Sequence, residues 1–211
     1  MRQQEMSERT IQKLVDSGIT LFAKYGYSNT SVDQIVQEAG LSKGAFYAHF
    51  STKEDFLMKV LQDEISFYFE DLRDLLTQEN RDLVDEFIKF SVDMVVKAYE
   101  KGFSAVLLHS AMTCQYLPQV QQELTKQMEE WRTDLTRLFE AMKKEGFIGS
   151  PLNARTLATA GMALFNGYNM QHYIDDRVDI KEMINVFIEL LQVQSPHRHA
   201  TTRATDKQDD R

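Results

Sequence analysis

The stretch that decides the fold is residues 30–53, TSVDQIVQEAGLSKGAFYAHFSTK. Its apolar spacing and helix-capping residues predict a helix of about nine residues, a turn of about four, and a second helix of about eight that follows Ser42 and ends near Phe50. Gly40 lies in the turn, where a left-handed conformation is needed, and Leu41 supplies an apolar plug between the helices. These lengths are typical of a helix-turn-helix.

The second helix of this unit has a face of small residues. On a helical wheel Phe46 and Phe50 define the buried side, and Gly44, Ala45 and Ala48 lie opposite them. A helix that reads DNA must bring its backbone close to base edges in the major groove, which small side chains permit. The alternative is that this face packs against another helix, because helix-turn-helix units also occur as scaffolding.

Polar and basic side chains border this small face. Those placed to reach phosphates on either side are Lys43, Tyr47, His49 and Lys53. Thr30 and Ser42 precede helices, where free backbone amides favour phosphate oxygens. The spacing alone therefore favours DNA reading over scaffolding.

The rest of the chain is also predicted to be helical. Only three prolines and nine glycines interrupt it, and no segment alternates with a period of two for long enough to predict a strand. Further helices are predicted over residues 7–25, from Ser51 or Thr52 to about Thr77, and over 81–100, 103–115, 118–145, 153–173 and 179–194. The predicted fold class is all-α, with about nine helices.

Composition and charge limit the possible classes of protein. The chain has 211 residues, 43% hydrophobic and 27% charged, with no apolar run long enough to span a membrane and no apolar signal segment near its start. A single cysteine, Cys114, excludes an internal disulfide framework. Residues 1–53 carry a net charge of +1, whereas the whole chain carries −8. We expect a cytoplasmic protein with a small surface-binding module on an acidic body.

The predicted domains follow from these patterns. Residues 1–52 form the helix-turn-helix domain, 53–80 a connecting helix, and 81–194 a body for ligand binding and dimerisation. Residues 195–211 have no apolar side chain larger than alanine and are predicted to be a disordered tail. His197 and His199 in that tail are too few ligands for a structural metal site.

The motif from Gly26 to Glu54 resembles the DNA-binding domain of the TetR/AcrR family of bacterial repressors. The resemblance covers about the first 60 residues and is most specific in the string from Phe46 to Glu54, FYAHFSTKE. It implies that the helix after Ser42 reads the major groove of double-stranded DNA. The positions it would place at bases or phosphates are Thr30, Ser31, Ser42, Lys43, Gly44, Ala45, Tyr47, His49 and Lys53.

The resemblance also implies a ligand pocket in the body. Methionine and aromatic side chains adapt to irregular apolar ligands, although at helical spacing they are usually ordinary core. The predicted pocket residues are Met94, Phe103, Leu107, Met112, Tyr116, Met128, Trp131, Phe165, Asn166 and Asn169. His109 and Cys114 are further candidates to orient a small apolar or amphipathic effector, and the acidic body slightly favours a cationic one.

The last two helices are predicted to form a homodimer. The helix over 153–173 is rich in alanine and glycine, which suits close helix contact, and proteins that resemble this one pair their last two helices into a four-helix bundle. The predicted interface residues are Leu157, Gly161, Leu164, Tyr168, Phe187 and Leu191. Two such subunits would match a palindromic operator. The alternative is that both helices contribute only to the monomer core.

Two other function classes remain open. An all-α enzyme is remote, because no motif for nucleophilic catalysis, phosphate binding, a cofactor or a metal is present. A DNA-binding regulator with a filled body and a protein partner, or an architectural role, is the closer rival. A ligand-sized cavity behind Phe103 and Trp131 would favour the repressor with a sensor.

Overall fold

The structure, a computed structural model, describes residues 2–77, 83–100 and 102–193, and the regular structure of these residues is helical. The helices are α1 (Arg2–Tyr25), α2 (Val32–Glu38), α3 (Lys43–Tyr47), α4 (Lys53–Thr77), α5 (Leu83–Glu100), α6 (Phe103–Thr113), α7 (Pro118–Lys144), α8 (Ala154–Ile174) and α9 (Ile180–Leu191), with a short 3₁₀ turn at Cys114–Tyr116. The predicted all-α fold class is confirmed. The predicted tail at 195–211 lies outside the described residues.

The turn chemistry agrees with the sequence. Ser31 caps α2 with a capping box, in which its hydroxyl accepts from the Gln34 amide and the Gln34 side chain accepts from the Ser31 amide. Ser42 caps α3 through the Ala45 amide, with 3.2 Å between Ser42 Oγ and Ala45 N. Gly40 has φ of +65°, so the residue between these helices adopts the left-handed conformation that favours glycine.

Helix α3 is shorter than predicted. It ends at Tyr47, and Ala48 forms its C-cap. The chain turns there because Phe50 packs into the core, with ring centroids 5.4 Å from Phe46 and 5.0 Å from Phe56. The His49 and Phe50 amides still donate to the Phe46 carbonyl at 3.0 Å, so this turn holds the end of α3 firmly.

An aromatic cluster joins α1, α3 and α4. Phe56 of α4 is fully buried, and its ring lies 5.2 Å from that of Phe46 and 5.9 Å from that of Phe22. Gly18 of α1 permits this close packing, because a Cβ added there would lie 2.6 Å from the Phe56 ring. The small N-terminal unit is thus built on the start of α4, which fixes the position of α3.

The body packs α7 against α4 and α8, while α9 covers α8. Its most buried side chains include Leu138, Phe139 and Met142 of α7 together with Leu157 of α8. Gly161 of α8 meets the ring of Phe187 of α9 so closely that a Cβ added at that glycine would lie 2.7 Å from the ring. No helix in the described segments is long and apolar enough to cross a membrane.

Candidate nucleic-acid interface and ligand cavity

The small face of α3 is open to solvent. Ser42, Lys43, Gly44 and Ala48 are exposed, and Ala45 and His49 are half-buried. A Cβ at Gly44 would meet only the Ser42 hydroxyl, at 3.6 Å. Tyr47 beside this face is 55% exposed. Within residues 2–77, 83–100 and 102–193, the chain therefore leaves free the surface that the sequence predicts to enter DNA.

Helix α2 supports this surface from behind. Ile35 and Val36 are buried, and the Leu41 amide donates to the Val36 carbonyl at 2.8 Å. On the outside, Lys43 Nζ lies 2.7 Å from Asp33 Oδ1, and both side chains are mostly exposed. Such surface pairs contribute little to stability, roughly 0–1 kcal/mol, so Lys43 can exchange Asp33 for a phosphate.

Thr30 corrects the predicted set of phosphate contacts. It is 1% exposed, and its hydroxyl donates to the Gly26 carbonyl at 2.9 Å. This side chain closes the loop between α1 and α2 and does not face a ligand. Ser31 is exposed, but its hydroxyl donates to Gln34 Oε1 at 2.9 Å within the capping box.

Lys53 also differs from the prediction. Its ammonium donates to the carbonyls of Tyr27 and Thr30, both at 2.8 Å, and lies 4.1 Å from the centroid of the Tyr27 ring. Burial lowers the pKa of Lys53 below its ordinary value. These contacts tie the start of α4 to the loop between α1 and α2, so the primary role of Lys53 in the free protein is structural.

Lys53→Met should therefore reduce stability as well as DNA affinity. The substitution keeps the aliphatic stem but leaves two carbonyls without their charged donor, a loss of about 1–3 kcal/mol. Thermal unfolding followed by circular dichroism measures the loss. Lys43→Met is the matched control, since it removes an exposed lysine from the same unit, and we expect it to weaken DNA binding without lowering the unfolding midpoint. Equal midpoints for the two variants would contradict the structural role of Lys53.

A cavity of about 660 Å³ lies among α6, α7 and α8. Its wall is mostly apolar, and it contains eight of the ten predicted pocket residues: Met94, Phe103, Leu107, Met128, Trp131, Phe165, Asn166 and Asn169. The two exceptions are Met112 and Tyr116, which are 68% and 77% exposed and lie outside the wall. Met112 lies in the last turn of α6 and Tyr116 in the 3₁₀ turn that follows it.

Polar groups on the wall are held in place. Ser104 donates to Asn169 Oδ1 at 2.8 Å, and the Asn169 amide nitrogen donates to the Phe165 carbonyl at 2.8 Å. Cys114 lines the cavity as the sequence suggested, but His109 does not. The His109 ring instead packs on Gly26 and on the ring of Tyr173. A Cβ added at Gly26 would lie 3.6 Å from His109 Nδ1.

The sequence reasoning missed two charged wall residues, Glu129 and Arg132. They share the cavity face of α7 with Leu124, Met128 and Trp131, at spacings of one, three or four residues. Their spacing from these apolar residues is the sequence signal that places them on that face. Charged residues on a helix are usually on its solvated side, so their residue type alone predicts a position away from the cavity.

Three of the six predicted dimer residues are buried in the monomer core, and the other three are half-buried. Leu157 is fully buried, Leu191 is 2% exposed and Tyr168 is 6% exposed. Gly161 receives the ring of Phe187, and Leu164 lines a small apolar cavity beside it. Leu157, Tyr168 and Leu191 therefore contribute to the monomer core, as the alternative expects, whereas an interface role for the half-buried Gly161, Leu164 and Phe187 stays a prediction.

No three His, Cys, Asp or Glu side chains lie close enough to hold a metal ion within the parts of the chain that the structure describes. Helices α2 and α3, with the turn between them and the open face of α3, form a helix-turn-helix. Residues 14–60 match the family described as bacterial regulatory proteins, tetR family. This match is confined to the N-terminal unit, whose sequence is similar to that of tetR-family DNA-binding domains.

Curated relatives share mainly this unit. The chain is 44% identical over 55 residues to an uncharacterized helix-turn-helix regulator, YwcC of Bacillus subtilis, covering 26% of this chain and 25% of that protein. It is 31% identical over 133 residues to the transcriptional repressor DhaR of a Mycobacterium species, covering 63% and 61%. The chain thus spans less than two thirds of either relative.

Solved structures share the whole fold. GusR of Salmonella enterica has a TM-score of 0.71 at 19% identity, covering 87% of this chain and 95% of that one. The complex of SmeT with triclosan has a TM-score of 0.75 at 13% identity, covering 89% and 93%. At these identities the likeness establishes the fold alone.

Proposed function

We propose that the protein is a dimeric transcriptional repressor of the cytoplasm that binds a palindromic operator and is released from it by a small apolar or amphipathic ligand. The open face of α3 is the observation that carries this proposal. Its small residues suit contact with base edges, and Lys43, Tyr47 and Ser42 lie where they can bind phosphates. Because phosphate contacts dominate, affinity should fall steeply as salt rises.

The cavity supports the sensor part of the proposal over the rival regulator with a filled body. At about 660 Å³ it is within the range of roughly 300–1,000 Å³ for small-molecule sites. One relative by fold, SmeT, is described in complex with triclosan. The family and fold are those of DNA-binding regulators, and we propose no catalytic role.

Helix α6 offers a route from the cavity to the DNA-binding unit. Phe103 and Leu107 line the cavity. Gly102, just before α6, packs closely on α1, because a Cβ added at Gly102 would lie 3.2 Å from the Cβ of Ala23. His109 of the same helix packs on Gly26, at the end of α1. A ligand that moves α6 would therefore move α1. A near-complete switch needs a difference of about 5 kcal/mol in ligand affinity between the two states.

Dimerisation is proposed through the outward face of α8 and α9. Ala163, Gly167, Met170 and Ile174 follow one another at spacings of four, three and four residues, which places them on one helix face. Met170 and Ile174 are 53% and 77% exposed. Val186 of α9 is exposed as well. We propose this apolar stripe as the dimer interface in place of the residues predicted from the sequence.

Ala163→Glu should separate the subunits, because it would bury a charge within the apolar stripe of the interface without disturbing the monomer core. Light scattering should give a mass near 24.5 kDa for the variant and twice that for the parent. Gln122→Glu adds the same charge at an exposed site on α7 and should remain dimeric. A parent protein of monomer mass, or a variant that dimerises like the parent, would contradict the proposed interface.

A further inference from the structure

We propose that the cavity among α6, α7 and α8 selects an amphipathic organic anion, whose acidic group pairs with Arg132 and whose apolar part lies on Trp131 and Phe165. The inference rests on the proposed function, since it names the chemical class of the effector. It also reverses the slight preference for a cation that the acidic composition of the body suggests.

The charge on the cavity wall is the first argument. Glu129 and Arg132 of α7 are the charged residues that line the cavity, within the part of the chain that the structure describes. The other wall residues are apolar or neutral. The acidic side chains that give the chain its net charge of −8 thus do not determine the charge that a bound ligand meets.

Glu129 is already neutralised by two arginines. Its Oε1 lies 2.7 Å from Arg155 Nη2, and its Oε2 lies 2.5 Å from Arg132 Nη1. The hydrogen bonds from Arg155 and then Arg132 lower the pKa of the Glu129 carboxyl. It therefore stays ionised near neutral pH, and the three side chains together carry one positive charge. A cationic ligand would have to compete with both guanidinium groups for this carboxylate.

Arg132 retains donors for a ligand. A guanidinium has five N–H donors in a fixed fork, and the contact with Glu129 uses one of its nitrogens. The Arg132 side chain is 27% exposed, so its charge is partly shielded from water and its interactions are stronger than at an open surface. The fork suits a carboxylate, which can accept two parallel hydrogen bonds.

The neighbouring wall suits an apolar body. Trp131 precedes Arg132 on α7, is 5% exposed, and meets the Phe165 ring edge-on with centroids 5.2 Å apart. Phe103 and Met128 continue the apolar wall. A molecule with one acidic end and a hydrocarbon body would thus meet a positive group and an apolar surface at adjacent points of the same helix.

Three ten-carbon probes that differ in the head group test the proposal: decanoate, 1-decanol and decylammonium. Trp131 is the one tryptophan of the chain, so quenching of its fluorescence in the full-length protein reports binding. We expect decanoate to bind at least about tenfold more tightly than decylammonium. Arg132→Gln should lower the affinity for decanoate about tenfold, or about 1.4 kcal/mol, and leave the affinity for 1-decanol unchanged. Arg132→Lys should retain most of the preference for the anion.

Arg137→Gln is the matched control. It removes an arginine from α7 that is 66% exposed, pairs with Asp134 and lies off the cavity wall, and it should not change any of the three affinities. The inference would be overturned if decylammonium bound as tightly as decanoate or more tightly. It would also be overturned if Arg132→Gln lowered the affinities for decanoate and 1-decanol equally. If 1-decanol alone binds and releases DNA, the proposed repressor stands and the anion preference is wrong. If no probe quenches Trp131 or releases DNA, both the sensor and the inference are wrong.

Discussion

Gly44→Glu should reduce operator affinity by at least about 100-fold, which corresponds to roughly 2.7 kcal/mol. The residue is at the centre of the open face of α3, where the proposed complex brings the backbone close to the bases. A glutamate there would project into the groove and place a negative charge among phosphates, a juxtaposition that costs several kcal/mol. Fluorescence anisotropy with a labelled operator measures the loss.

The structure indicates that this variant folds. A Cβ at Gly44 meets nothing closer than the Ser42 hydroxyl at 3.6 Å, and its φ is not positive. Glutamate also favours a helix more than glycine does. Gln122→Glu, on the exposed side of α7, is the control for net charge and should bind DNA like the parent. Unimpaired binding by a folded Gly44→Glu protein would mean that α3 does not enter the groove.

Phe56→Ala should have the largest effect on stability. Phe56 is fully buried and packs on the rings of Phe22, Phe46 and Phe50, at centroid distances of 5.0–5.9 Å. Loss of a buried phenylalanine side chain costs about 3–5 kcal/mol, a large part of the roughly 5–15 kcal/mol that stabilises a protein. The thermal midpoint should fall by on the order of 10 °C, as measured by circular dichroism.

The loss should be greatest in the DNA-binding unit, because Phe56 joins α1, α3 and the start of α4. Operator affinity should fall with it, through misplacement of α3. Phe56→Leu retains most of the buried surface, so its thermal midpoint should fall much less. Tyr47→Ala removes an exposed ring and should leave the thermal midpoint unchanged. If Phe56→Ala unfolds like the Tyr47→Ala control, the cluster does not stabilise the unit as described.

Local signals in the sequence predicted most of the fold. Ser42 caps the helix that it was expected to precede, and Gly40 adopts the left-handed turn. Such features depend on residues within a few positions of each other. The early end of α3 was missed because it depends on Phe50 packing against Phe56, and helical spacing alone does not show which turn of a helix must bend into the core.

Side-chain roles were harder to predict. Thr30 and Lys53 carry groups that can bind phosphate, but the structure directs the hydroxyl to the Gly26 carbonyl and the ammonium to the Tyr27 and Thr30 carbonyls. A motif shows which groups are present and not which backbone atoms compete for them. The buried Leu157 and Leu191 were similarly mistaken for interface residues, because core and interface leucines have the same spacing.

The proposed repressor requires two copies of the open α3 face to read DNA together. Selection of bound sequences from a pool of random duplexes by the purified full-length protein tests it most directly. We expect enrichment of two inverted copies of one short motif, with loss of enrichment for Gly44→Glu. A single asymmetric motif, or no enrichment above the starting pool, would contradict it.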